Sequence, residues 1–237
     1  MSKKAVVFGS LFSFLLVNST LAEAPNFQSG FLVGGDVGGS YGTGTFNASF
    51  RDGKPVVPEG TVSGGASNSA GLVGVIGGYR FVSDQGATFG VDISANYLSG
   101  NELKKRFNQT GSPFDNRLKR DFNVVPGFSF GKIIYDQFHI ALGMGLGITQ
   151  VKHRVDNVLA NTSVSSSQTA LGFVPSIGAE YAYTKHISFI GNVSYEMYRK
   201  VNSNFGQNVA PSLPGSSYWS AIKPKFLTPK AGIIYRF

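Results

Sequence analysis

The stretch Phe226–Phe237, FLTPKAGIIYRF, decides the fold. Taken in twos from its end, Phe237, Tyr235, Ile233, Ala231, Pro229 and Leu227 form one set. Arg236, Ile234, Gly232, Lys230, Thr228 and Phe226 form the other. The first set is wholly apolar or aromatic; the second is mostly polar or small. Successive side chains of a strand point to opposite faces, so this is a strand with one apolar and one polar face. A strand that meets lipid on one side and a polar lumen on the other reads this way. An exposed Tyr-Arg-Phe at the tip suits such a strand better than a soluble one.

Seven further stretches upstream carry the same alternation. It is cleanest from Thr88 to Tyr97, where Phe89, Val91, Ile93, Ala95 and Tyr97 face one way and Thr88, Gly90, Asp92, Ser94 and Asn96 the other. From Phe138, Ile140, Leu142, Met144, Leu146 and Ile148 oppose His139, Ala141, Gly143, Gly145, Gly147 and Thr149. Each stretch covers about 9–11 residues, the length a tilted strand needs to cross a bilayer. The links alternate in length. Val82–Gly86, Tyr135–Gln137 and Thr184–His186 are short, and Asp84, Gly86 and Asp136 supply their turn chemistry. Four others, roughly Phe46–Asn68, Ser99–Arg120, His153–Ser167 and Arg199–Lys225, are long and read as loops. Short turns on one side and long loops on the other are the pattern of an outer-membrane barrel.

A soluble barrel of the lipocalin kind would turn the apolar face inward. Side-chain size argues against it. The other face, with Gly143, Gly145 and Gly147 in a single strand, cannot fill a core. Aromatic residues gather at both ends of the apolar face. Tyr79, Phe81, Phe130 and Tyr183 lie near the short turns, and Tyr41, Tyr97, Phe122 and Tyr195 near the long links. Two such belts match two membrane interfaces. The expected fold is all-β: an eight-stranded antiparallel up-and-down transmembrane β-barrel.

The alternation, the unequal links and the terminal aromatic resemble the small eight-stranded bacterial outer-membrane barrels of the OmpA, OmpX and opacity type. The resemblance covers the whole chain after its leader. It implies that Ile233, Tyr235 and Phe237 are read by the barrel-assembly machinery. It also implies a surface protein in the outer membrane, in contact with its lipids and lipopolysaccharide.

Composition agrees. The 237 residues include 31 Gly and no Cys, which excludes disulfides and cysteine-based metal or nucleophile chemistry. Met1–Ala22 reads as a cleaved export signal, with Lys3 and Lys4 before an apolar run from Ala5 to Val17 and small residues at Thr20 and Ala22. Residues 23–237 are then the barrel. Removing the two lysines lowers the formal charge from +8 to about +6.

On the lumen face Asp36, Asp92, Glu180 and Glu196 accompany Arg80, Lys230 and Arg236, and pairing is expected because isolated buried charges are costly. Lys230 is expected to meet Asp36 and Glu196, and Arg80 to meet Asp92. The inward glycines leave space, which favours a narrow gated pore as the alternative to a filled interior. The second long link carries Lys104, Lys105, Arg106, Arg117, Lys119 and Arg120 against Glu102 and Asp115. Such a cluster at the extracellular rim is expected to meet anionic groups: lipopolysaccharide phosphates or acidic host-surface glycans. Nucleic acid is excluded by compartment and by the lack of a reader motif. No cofactor or metal is expected. A lipid-A-modifying enzyme would need a nucleophile and base near the rim. His153 beside Ser163, Ser165, Ser166 and Ser167 is the sole loose juxtaposition of that kind, and it reads as a solvated loop histidine. The expectation is therefore a non-enzymatic surface protein, with loops for adhesion and a scaffold supporting the envelope.

Overall fold

The computed structural model describes residues 27–52, 61–109, 112–135, 137–205 and 216–237. The leader Met1–Ala22 and the turn residue Asp136 lie outside them. The strands are β1 (Gly30–Asp52), β2 (Thr61–Val82), β3 (Ala87–Ser99), β4 (Glu102–Gln109), β5 (Ser112–Tyr135), β6 (Phe138–Asn157), β7 (Thr162–Ala182), β8 (Ile187–Tyr198), β9 (Val201–Asn204) and β10 (Ser216–Arg236). Eight of them, β1-β2-β3-β5-β6-β7-β8-β10, pair antiparallel in that order, and β10 pairs back onto β1. The ring is an eight-stranded barrel with no free edge. The remaining two strands prolong members of the ring. β4 continues β3 past a kink at Gly100, whose φ of 76° a side chain would strain, and β9 continues β8 past Arg199 and Lys200.

The faces are as the alternation predicts. Phe31, Tyr97 and Leu142 are 60–66 % exposed, as part of a belt of outward apolar side chains all round the ring. A continuous apolar surface of this extent is tenable only against lipid.

The long links differ from expectation. They are not loops but largely strand. β1 runs to Asp52 and β2 starts at Thr61; β6 and β7 meet across the turn 158–161, with Asn157 Oδ1 accepting from the Leu159 and Ala160 amides. The strands thus continue well past the apolar belt. Inside this extension Phe46, Leu103, Phe107, Phe114, Leu118, Val151, Val155, Tyr218, Ile222 and Phe226 pack into a buried apolar core. The reason is an inversion. Inward positions change from glycine and polar residues to Phe and Leu at the membrane boundary, while outward positions change from apolar to polar. Water replaces lipid outside, so the same strands need their apolar side within.

The inward glycines differ from expectation in part. Beside most of them a Cβ would meet a neighbour, although Gly127, Gly143 and Gly145 also border a lumen cavity. A Cβ on Gly145 would sit 2.6 Å from Val125 Cγ1, and one on Gly42 would sit 2.6 Å from Phe226 Cε1. Their neighbours already occupy the room, so the glycines let a narrow barrel be filled by larger side chains.

Candidate functional site

The lumen charges lie in three layers along the barrel. At the short-turn end Glu180 is the hub. Arg80 Nη1 donates to its Oε2 at 2.5 Å and Arg236 Nη2 to its Oε1 at 2.7 Å, while His139 Nδ1 lies 3.6 Å away. His139 Nε2 and Thr88 Oγ1 are 2.8 Å apart, and the Phe27 ring caps the layer 4.6 Å from the Arg236 guanidinium. Hydroxyl, imidazole and carboxylate here have the order of a catalytic triad. Both Glu180 oxygens, however, are held by guanidinium groups, and all three residues are buried. The arrangement is one of packing rather than of nucleophile activation.

In the middle layer Lys230 Nζ donates to Asp36 Oδ2 at 2.8 Å and to Asn96 Oδ1 at 3.2 Å, and Asn96 donates on to Asn123 at 2.9 Å. A cavity of about 160 Å³ is bordered by Asp36, Arg80, Asp92, Asn96, Glu180 and Lys230, among others. Asp92 has no ion pair within 4.0 Å among the described residues. Arg80 therefore pairs with Glu180, not with the expected Asp92.

The upper layer corrects a second assignment. Arg120, expected in the basic loop, is 1 % exposed and points into the lumen. It pairs with Glu196, donates to Ser40 Oγ at 3.0 Å and lies 3.6 Å over the Phe226 ring. Tyr198 and Thr228 hydroxyls donate to Glu196 at 2.8 Å each. Glu196 is thus held by Arg120 and not by Lys230. The physical reason is a bulge: the β5–β6 register shifts between Arg120 and Asn123, so parity changes and Arg120 joins the inward face. With Arg120 included, four cations balance four carboxylates across the lumen.

The rest of the basic cluster forms a ladder on the outer face of β4, β5 and β6. Register sets Glu102, Lys119 and Lys152 in one row, Lys104, Arg117 and Arg154 in the next, and Arg106, Asp115 and Asp156 in the third. Arg106 bonds both Asp115 oxygens, at 2.6 and 2.9 Å, and this holds the carboxyl down at about 2. Lys104 reaches Asp115 at 3.1 Å, Arg117 reaches Asp156 at 3.1 Å, and Lys119 reaches Asp121 at 2.8 Å. Lys105 lies on the opposite, inward face of β4, against Gly64. The six predicted residues are therefore not one site. Arg120 lies in the lumen, Lys105 points inward, and four form part of an ion-pair ladder.

His153 is buried, not solvated. Its Nδ1 is 3.0 Å from Ser203 Oγ, its Nε2 has no partner, and Phe46 and Phe205 flank the ring. Ser163, Ser165 and Ser167 face outward, and Ser166 stands opposite His153 on the inward face, but the hydroxyl that His153 bonds is that of Ser203. Ile233, Tyr235 and Phe237 are exposed on the lipid side.

A model of the outer membrane protein beta-barrel domain matches residues 11–211. The chain belongs to this family. Membership places it in the outer membrane. Among solved structures the barrel is similar to OprG from Pseudomonas aeruginosa, with a TM-score of 0.56 at 14 % identity over 91 % of this chain and 99 % of that one. The protease OmpT from Escherichia coli gives 0.44 at 10 % identity, over 92 % and 99 %. Ail from Yersinia pestis, solved with the heparin analogue sucrose octasulfate, gives 0.32 at 14 %, over 86 % and 99 %. Neither of the last two bears on the function of this chain. No curated protein sequence matches it.

Proposed function

We propose that this outer-membrane barrel is a non-enzymatic surface scaffold, which holds a stiff charged sheet above the membrane for contact with other surfaces. One observation carries the reading: the strands continue beyond the apolar belt around their own apolar core. A core of this kind stiffens what would otherwise be mobile loops, and preorganised surfaces lose less entropy on binding. The long-link end is the extracellular one by the general asymmetry of these barrels. The outward face of β4–β6 there carries six cations against four carboxylates, and its middle row, Lys104–Arg117–Arg154, is wholly cationic. Each of the three also reaches a carboxylate of a neighbouring row, but the face keeps an excess of positive charge that an external anion would offset. Acidic surface glycans are the chemical class that fits.

The test uses cells displaying the full-length protein on surfaces coated with a sulfated glycan. Replacing Lys104, Arg106, Arg117 and Lys119 by Ser strands Asp115 in the extension but should leave the transmembrane ring folded and reduce attachment, with most of the salt dependence lost. Equal attachment at low and moderate salt would refute the glycan contact. A second reading, a small gated pore, is favoured by the cavity between the ion-pair layers; conductance tests it.

A further inference from the structure

A different group of cations has no counter-ions among the described residues. Arg199 and Lys200 lie between β8 and β9, and Lys223 and Lys225 lie on β10. β8 pairs with β10 as Met197↔Lys225, but β9 pairs as Val201↔Ile222, so one extra residue is accommodated at Arg199–Lys200. Strict alternation would turn one of this pair inward. The bulge leaves both side chains exposed. Lys223 is exposed as well, Lys225 is half-buried, and Pro224 between them is buried. Across the neighbouring strand, Thr43 and Thr45 oppose Lys225 and Lys223. Among the described residues none of the four cations has a carboxylate within 4.0 Å, unlike Lys104, Arg106, Arg117, Lys119 and Arg154 of the β4–β6 ladder. Four like charges on neighbouring positions repel, and no carboxylate among the described residues pairs with them.

Their height identifies the partner. Tyr41, Leu227 and Tyr195 stand level across β1, β10 and β8, and all three are exposed at the upper end of the apolar belt. Tyrosines at that position mark the membrane–water interface. Lys225 and Lys223 lie two and four residues further on, about 7 and 13 Å along the strand, or roughly 5 and 10 Å along the membrane normal for a tilted strand. The headgroup layer is about 5–8 Å thick on each side of the hydrocarbon. The cations therefore begin inside that layer and end just beyond it, within reach of a long side chain. At the opposite rim the exposed charges among the described residues are sparse: Lys132 and Lys185 with Asp84.

We propose that Arg199, Lys200, Lys223 and Lys225 form a binding site for the phosphate groups of a phosphorylated lipid in the outer leaflet. The apolar belt below would hold its acyl chains, the bulge pair and the β10 lysines its phosphates, and Thr43 and Thr45 would supply hydroxyl donors at the edge. Arginine gives paired N–H donors and lysine a compact charge, a mixture suited to phosphate. The site lies on a different part of the wall from the proposed glycan ladder and stands without it.

The test titrates the full-length barrel, folded in a neutral detergent, with bisphosphoryl lipid A, with its dephosphorylated form and with inositol hexakisphosphate as a soluble polyanion. The bisphosphoryl lipid should bind at least about tenfold more tightly than the dephosphorylated one. The variant R199Q/K200Q/K223Q/K225Q should lose that preference, and K104Q/R106Q/K119Q/K152Q should keep it. Heat-dependent gel mobility reports folding. If the fourfold variant does not fold, K223Q/K225Q is read in its place, and at least about a threefold loss is expected. An unchanged preference in the patch variant, no preference in the wild type, or equal loss in the ladder variant would each overturn the site. So would binding of the soluble polyanion as tight as that of the lipid, which would assign the patch to a ligand from the water phase.

Discussion

Single residues set the energetics of this lumen. Asp36 Oδ2 is held by Lys230 at 2.8 Å, while Oδ1 faces the cavity without a protein partner. Lys230→Ala should therefore strand a buried carboxylate and cost about 3–5 kcal/mol, read as a lower urea midpoint in lipid vesicles. Replacing the pair together, Lys230→Met with Asp36→Leu, should recover most of the loss; an unchanged midpoint in the single variant would show that the pair is irrelevant. His153 gives a pH dependence. Burial among Phe46 and Phe205 pushes its pKa down to about 4 from the ordinary 6.5. The unfolded chain then binds the proton more tightly, so the stabilisation is complete above pH 6.5 and declines as pH falls from 6.5 to 4. The loss amounts to about 3 kcal/mol. Proteolysis of the extension should quicken over that window in wild type and not in His153→Leu.

At the level of elements, the transmembrane portion of each strand was legible because its alternation is regular and its two faces differ in kind. The extension was not, for a physical reason. In β1 the inward positions run Gly38, Ser40, Gly42 and then Phe46, Ala48, so a reader following the apolar side sees the pattern fail where it only inverts. Bulges hid two sites. One at Asp121–Phe122 turned Arg120 inward, and another exposed Arg199 and Lys200 together. No residue type announces such a shift. The lumen partners were legible as a set but not as pairs, since pairing depends on which strands the closed ring brings opposite one another. The extension core should behave as a unit. Tyr218 is fully buried, stacks on Phe114 at 5.6 Å and hydrogen-bonds Asn116 at 2.8 Å. Tyr218→Ala should cost about 3–5 kcal/mol locally. Limited proteolysis of the full-length protein would then clip residues above the membrane and spare the transmembrane ring; uniform resistance would mean that the core adds little.

For the whole molecule the question is whether the barrel conducts. Three barriers lie in series between the two ends. Glu180 with its two arginines and Phe27 closes the short-turn end, Arg120 with Glu196 closes the upper lumen, and the apolar core stands beyond that. The cavity of about 160 Å³ between the ion-pair layers holds roughly five waters at liquid density. A gate made of an ion pair opens when the pair is broken, because the freed groups can rehydrate. A plug does not, since the apolar core above stays dry whatever happens to the pair. Arg120→Ala separates the two. If the barrel is a scaffold, wild type and Arg120→Ala both give silent planar-bilayer traces, and the variant is destabilised by the stranded Glu196, which retains only the Asn123, Tyr198 and Thr228 hydrogen bonds. Discrete conductance steps in Arg120→Ala, with wild type silent, would instead make the Arg120–Glu196 pair a gate. The extension core would then have to part as the gate opens, and cross-linking two of its strands should abolish the steps.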